Sequence, residues 1–260
     1  MATRRRNAAP ELAPATISEA DGVRYLHLGT PWVQGAMRIR KPLAIELEYV
    51  QRMMAWMLLR PSDELTEGHA VQLGLGAAAI TRYCHSVLKL RTTAVELNPT
   101  VITACRLWFH LPADSARLRV IEGDAGAFAA DPAHAGSVQA LCVDLYDHDA
   151  ASPVLDSEDF YRDCRALLGE GGVMSVNLFG RASSFERSAS RIASVFGIER
   201  MRSLRPTKEG NTVVLALRDG AVPDRDTLAE RADTIEARFD LPARKWLRMM
   251  RALPESIASP

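Results

Sequence analysis

The 260-residue sequence predicts an α/β domain. Its sheet should be mostly parallel, wound on both faces by helices and closed at one edge by an antiparallel strand pair. Three observations predict this. Short apolar runs alternate with stretches of helical periodicity, the mark of repeated strand–helix–strand units. The stretch 71–98 reads strand, glycine turn (Gly74 and Gly76), helix, then a second strand ending in an acid, Glu96. The last two strand-like runs, 198–204 and 212–218, are joined by a polar loop too short for a parallel crossover.

Composition sets the outer limits. With 47% hydrophobic residues the chain can build one large domain with a small appendage, and no apolar run approaches a membrane span. Lys+Arg and Asp+Glu are 32 each, so no global field favours nucleic acid or a membrane surface. The local exception, Arg4-Arg5-Arg6, sits in a Pro/Ala-rich leader without periodicity or a following apolar segment. Cys84, Cys105, Cys142 and Cys164 are far apart and form no C-x-x-C. They read as core hydrophobes in a reducing, cytoplasmic setting. The six histidines form no H-x-x-x-H pair, and no metal is expected.

In chain order, residues 1–20 read as a disordered leader and 21–62 as an N-terminal β-hairpin and helix subdomain. The hairpin strands are 23–28 and 32–39, around Gly29-Thr30-Pro31. Val50, Met53, Met54, Met57 and Leu58 then share one helical face, for the core or a homodimer contact. Residues 63–255 form the main domain. After the 71–98 unit, Asn98 caps a helix that opens with Pro99. Strands follow at 118–121, 138–143 and 173–178, separated by helical stripes; Leu228, Ala232, Ile235 and Phe239 mark one more helix, and Trp246, Leu247 and Met250 a short last one.

Ligands of such sheets bind outside the carboxyl ends of the strands. Glu96, Asp124, Asp144 and Asp147 each fall just past a predicted strand on that edge. Any one of them could be a helix cap or a solvated loop acid. Together they outline a site for a nucleotide-like ligand, with Gly74 and Gly76 under it and Glu96 placed to accept ribose hydroxyls.

The ordered residues G-L-G, V-E-L-N-P, E-G-D-A, V-D-L-Y-D, F-Y and G-E-G-G-V resemble the polyamine aminopropyltransferase (spermidine synthase) family over about residues 23–240. The resemblance implies a Rossmann-like fold of the S-adenosylmethionine methyltransferase type with a seven-stranded sheet. It implies aminopropyl transfer from decarboxylated S-adenosylmethionine to an amine, releasing methylthioadenosine; the methionine-rich helix and the N-terminal hairpin point to a homodimer. By the same resemblance Asp144 is the base. Asp147 anchors the amine, with Tyr49, Gln51 and Tyr146 beside it. Gln34, Gly74, Gly76, Glu96, Leu97, Asp124 and Ala125 hold the adenosyl donor.

The sequence departs from the family pattern in the glycine loop, where the family's G-G-G-D-G-G reads Gly74-Leu75-Gly76-Ala77-Ala78-Ala79. An acid at position 77 would repel the carboxylate of ordinary S-adenosylmethionine by about 4 kcal/mol at about 4 Å and moderate dielectric. Ala77 removes that barrier. The tyrosine–histidine pair of the family's first helix reads Tyr49-Val50, and Leu145, Tyr146 and His148 replace the family's loop residues. Two alternatives therefore stand beside aminopropyl transfer: a methyltransferase using ordinary S-adenosylmethionine, and a non-catalytic adenosyl-binding protein.

Overall fold

The computed structural model describes residues 12–146, 155–180 and 182–257. Strands β1 (Ala15–Ala20), β2 (Val23–Leu28) and β3 (Gly35–Arg38) form an antiparallel three-stranded sheet. The expected hairpin is thus one strand larger, and the stretch 15–20, assigned to the leader, is ordered. β1 pairs along its full length, Ala15 opposite Leu28 through Ala20 opposite Val23. Its side chains are mostly exposed, so backbone pairing and not a buried face defines it.

Helix α1 (Glu48–Met53) continues as a 3₁₀ turn over Met54–Leu59. Met53, Met54 and Met57 are fully buried in the core below the main sheet. The methionine face is core packing and leaves no free apolar stripe for a second subunit.

The main sheet is built from β4 (His69–Leu73), β5 (Arg91–Glu96), β6 (Leu118–Glu122), β7 (Val138–Val143), β8 (Leu168–Phe179), β9 (Met201–Leu204), β10 (Asn211–Leu217) and β11 (Met250–Arg251). Its order is β11-β9-β10-β8-β7-β4-β5-β6. β6, β5, β4, β7 and β8 run parallel, and β10 enters antiparallel between β8 and β9. The strand reversal at β4, where β5 lies on one side and β7 on the other, is the switch point at which such folds bind ligands. The two-residue β11 makes the sheet eight-stranded where seven were expected, and takes Met250 out of the last helix.

Helices α2 (Ala79–Ser86), α7 (Arg225–Phe239) and α8 (Ala243–Met249) cover one face of the sheet. The other face carries α4 (Ala125–Ala130), α5 (Glu158–Leu167) and α6 (Ala182–Phe196). A third apolar cluster joins the N-terminal sheet to α3 (Pro99–Trp108) through Leu26, Met37, Val101, Cys105 and Phe109. That packing holds the small sheet over the carboxyl edge of the large one. All four cysteines are buried free thiols, and no helix among the described residues is long and apolar enough to cross a membrane.

Candidate active site

A cleft of about 900 Å³ opens over the carboxyl edge of β4–β8, roofed by the N-terminal sheet and α1. Its floor begins at the glycine loop. Gly74 (φ +84°) is required there because a Cβ would lie 2.1 Å from the Asp144 carbonyl oxygen. Gly76 passes under Gln34, and a Cβ at Gly35 would lie 2.5 Å from the Ala77 nitrogen. The tip of β3 therefore rests directly on the loop. Ala78 adopts a left-handed conformation (φ 57°) where the family pattern has glycine.

The loop is wired from behind by Gln72, buried in β4. Its amide nitrogen, Nε2, donates to the carbonyls of Gly74 (2.7 Å) and Leu75 (3.2 Å). Its Oε1 accepts from the Thr81 backbone N–H (3.0 Å) and hydroxyl (2.6 Å). Arg82, also buried, donates to the carbonyls of Ala77 and Phe109. Burial lowers its pKa to about 10.

Glu96 stands at the end of β5. Its two carboxylate oxygens accept from the backbone N–H of Leu75 (2.9 Å) and Asn98 (2.8 Å). Burial raises its pKa, and hydrogen bonds from Leu75, Asn98 and Leu97 oppose the rise. With three N–H donors on its two oxygens, the carboxylate keeps acceptor capacity for a ligand hydroxyl. Asp124 caps α4 by accepting from Ala127 N–H at 2.7 Å, with Ala125 beside it. Gln34, Gly74, Gly76, Glu96, Leu97, Asp124 and Ala125, the expected donor-binding set, all line this one cleft.

At the other end of the cleft Asp144 follows β7. Asn177 Nδ2, from β8, donates to its Oδ1 at 2.9 Å, and the Tyr49 hydroxyl also bonds its carboxylate. Burial raises the Asp144 pKa, while Asn177 and Tyr49 pull against the rise. The Tyr49 phenol is in turn pushed up by burial and then by the neighbouring Asp144 charge. Tyr146 lines the cleft, but its hydroxyl is occupied: it donates to the Asn177 carbonyl (3.0 Å) and accepts from Phe179 N–H (2.5 Å). Its ring meets Phe179 edge-on at 6.3 Å.

Of the other expected residues, one falls elsewhere. Gln51 is not part of the cleft lining; its side chain donates to the Ile45 carbonyl at 2.7 Å, because one turn of α1 points it at the preceding loop. Asp147, with His148, lies outside the described residues. Sequence reasoning missed Gln72, Asn177 and Asn211. The one signal for the first two was a polar residue interrupting an otherwise apolar strand.

No protein-family model matches the chain. Among individual proteins, it is 32% identical over 238 residues to the polyamine aminopropyltransferase of Neisseria meningitidis, across 91% of this chain and 88% of that one. The chain belongs to the polyamine aminopropyltransferase family. The enzyme of that name from Chromobacterium violaceum is 30% identical over the same shares. Among solved structures, a probable spermidine synthase from Corynebacterium glutamicum superposes with a TM-score of 0.71 at 19% identity, covering 94% of each chain. Human methyltransferase-like protein 13, solved with SAH, gives 0.64 at 21% identity over 81% of this chain and 97% of that one. Both share the fold of the large sheet. As a member of the polyamine aminopropyltransferase family the chain is a spermidine synthase-like transferase.

Proposed function

We propose that this chain transfers the aminopropyl group of decarboxylated S-adenosylmethionine to a polyamine and releases methylthioadenosine. One observation carries the reading. The charged side chains among the described residues lining the cleft are Glu48, Glu96, Asp124, Asp144 and Glu209, and none is basic. In a chain with equal numbers of acids and bases, a cleft of one sign concentrates ligands of the other. Sulfonium and ammonium ligands fit it.

In this reading Glu96 takes the ribose hydroxyls, and Asp124 with Ala125 takes the adenine edge. Leu97, Gly74, Gly76 and Gln34 complete the donor site. Asp144, with its raised pKa, accepts a proton from the acceptor ammonium. The freed nitrogen lone pair forms a bond to the carbon beside the sulfonium, the carbon–sulfur bond breaks, and its electron pair returns to sulfur as a neutral thioether. Tyr49 and Asn177 hold the Asp144 carboxylate, and Asp147 anchors a remaining ammonium. A homodimer and a cytoplasmic location belong to the same reading. The buried free thiols support the second, and light scattering tests the first.

A methyltransferase using ordinary S-adenosylmethionine is the second reading, favoured by Ala77. That residue is buried under Gly35 and lines a neighbouring cavity of about 20 Å³ with Gln34, Tyr49, Gln72 and Asp144. The donor carboxylate would find no basic partner among the described lining residues. Incubation with each donor and putrescine separates the two. Methylthioadenosine from the decarboxylated donor supports the proposal, and S-adenosylhomocysteine from the ordinary donor overturns it.

A further inference from the structure

Four of the five acids lining the cleft are already engaged. Glu48 pairs with Arg52 and Lys245. Glu96 accepts backbone N–H groups, Asp124 caps α4, and Asp144 is held by Asn177 and Tyr49. Glu209 has no hydrogen bond or ion pair to any described residue, although it lines the same cleft.

Its position is fixed. Glu209 sits in the turn between β9 and β10, closed by Thr207 N–H to the Asn211 carbonyl (2.8 Å) and Gly210 N–H to the Thr207 carbonyl (3.2 Å). Asn211 N–H also bonds the Thr207 hydroxyl at 3.2 Å. Gly210, at φ +101°, lays the turn against the Phe179 ring, 3.5 Å from where its Cβ would be. Lys208, the basic residue of this turn, is not among the cleft-lining residues.

Between Asp144 and Glu209 the lining changes character. Asn177 and Phe179 are two apart on β8 and share a face, and Phe179 pairs across the strands with Asn211. The Phe179 and Tyr146 rings form the cleft wall between the two acids. From Asp144 one cross-strand step reaches Asn177, two residues along β8 reach Phe179, and a second cross-strand step reaches Asn211. Steps of roughly 5 Å, roughly 7 Å and roughly 5 Å set the turn on the order of 12 Å from Asp144. Acid, aromatic wall, acid is the complement of ammonium, polymethylene, ammonium.

We infer that Glu209 binds the far ammonium of the acceptor, with Phe179 and Tyr146 carrying its methylene chain, and that the site accepts a triamine or long diamine as well as a short one. This rests on the aminopropyl-transfer reading above. A putrescine nitrogen attacking at Asp144 leaves its second charge short of Glu209, so only longer acceptors reach both acids.

The test compares wild type with E209Q, an exposed and near-isosteric change. Methylthioadenosine formation is followed with putrescine and with spermidine at saturating donor, and spermidine binding is measured by calorimetry. KM for spermidine should rise about threefold more than KM for putrescine, as one solvent-exposed charge pair allows, and the difference should shrink in high salt. Equal shifts for both acceptors, or none, overturn the inference. Should wild type form no methylthioadenosine with any amine, the transfer reading itself fails. The calorimetry then decides Glu209 alone: weaker spermidine binding by E209Q upholds it, whereas equal binding, or none by wild type, overturns it.

Discussion

Asn177 donates its side-chain N–H to Oδ1 of Asp144 at 2.9 Å, from the strand adjacent to the one that carries the acid. An ionised carboxylate only accepts, so this bond fixes which way the amide points. The opposite atom, Asn177 Oδ1, is buried and has no partner among the described residues. The acid is thus held in place by a residue whose other half remains available for a water or an amine.

Replacing Asp144 with Asn removes the proposed proton acceptor while keeping its size. Methylthioadenosine formation at saturating substrates should fall by about 10²–10⁴, the usual contribution of a positioned base. Full turnover by D144N would remove Asp144 from that role.

The pH profile carries a second signature. As the proposed base, Asp144 must be ionised, and burial raises its pKa, so activity should rise with pH through a limb above the ordinary carboxylate range. Asn177 lowers that pKa by bonding the ionised form. Asn177→Leu should move the acid limb to still higher pH and leave the donor KM little changed. A limb that stays in place in the variant would show that this bond does not set the base.

Gly74→Ala should be severe. It forces a side chain into a positive-φ position and against the Asp144 carbonyl. A loss of about 3 kcal/mol, a fall of roughly 10 °C in Tm, is expected by thermal denaturation, together with lost activity because Asp144 must move. Wild-type stability would mean that the loop can open without cost.

Far from the cleft, His69 bonds Thr93 through Nε2 (2.9 Å) and receives Arg91 on Nδ1 (3.1 Å). Burial and the Arg91 charge lower its pKa from 6.5 to about 4. The native state therefore resists protonating it. The stability it confers is complete above about pH 6.5 and is lost as pH falls toward about 4, on the order of 3 kcal/mol. Urea unfolding between pH 7 and 4 should show this slope, and His69→Gln should flatten it. An unchanged slope would assign the acid sensitivity to other groups.

The parts of this molecule that the sequence makes legible are those with a local cause. β2 and β7 match their hydrophobic pattern residue for residue, and Asn98 does cap α3, accepting from Thr100 N–H at 3.0 Å. β1 escaped because an edge strand with exposed side chains is specified by its partner. β8 begins at Leu168, before the Gly169–Gly172 segment that reads as a break. The cleft acids Glu96, Asp124 and Asp144 are legible because each follows the end of a strand. Gln72 and Asn177 are not, since they bond Thr81 and Asp144, which only the folded sheet brings near.

The contact between Gly35 and Ala77 ties two remote positions into one steric quota. The backbone at 35 already carries the smallest possible residue, so every atom added at 77 must displace β3 or fill the small cavity beside Asp144. Side-chain size at 77 is therefore also a setting of how far the N-terminal sheet stands off the glycine loop. A chain that gained bulk there would have to open its roof to keep its floor.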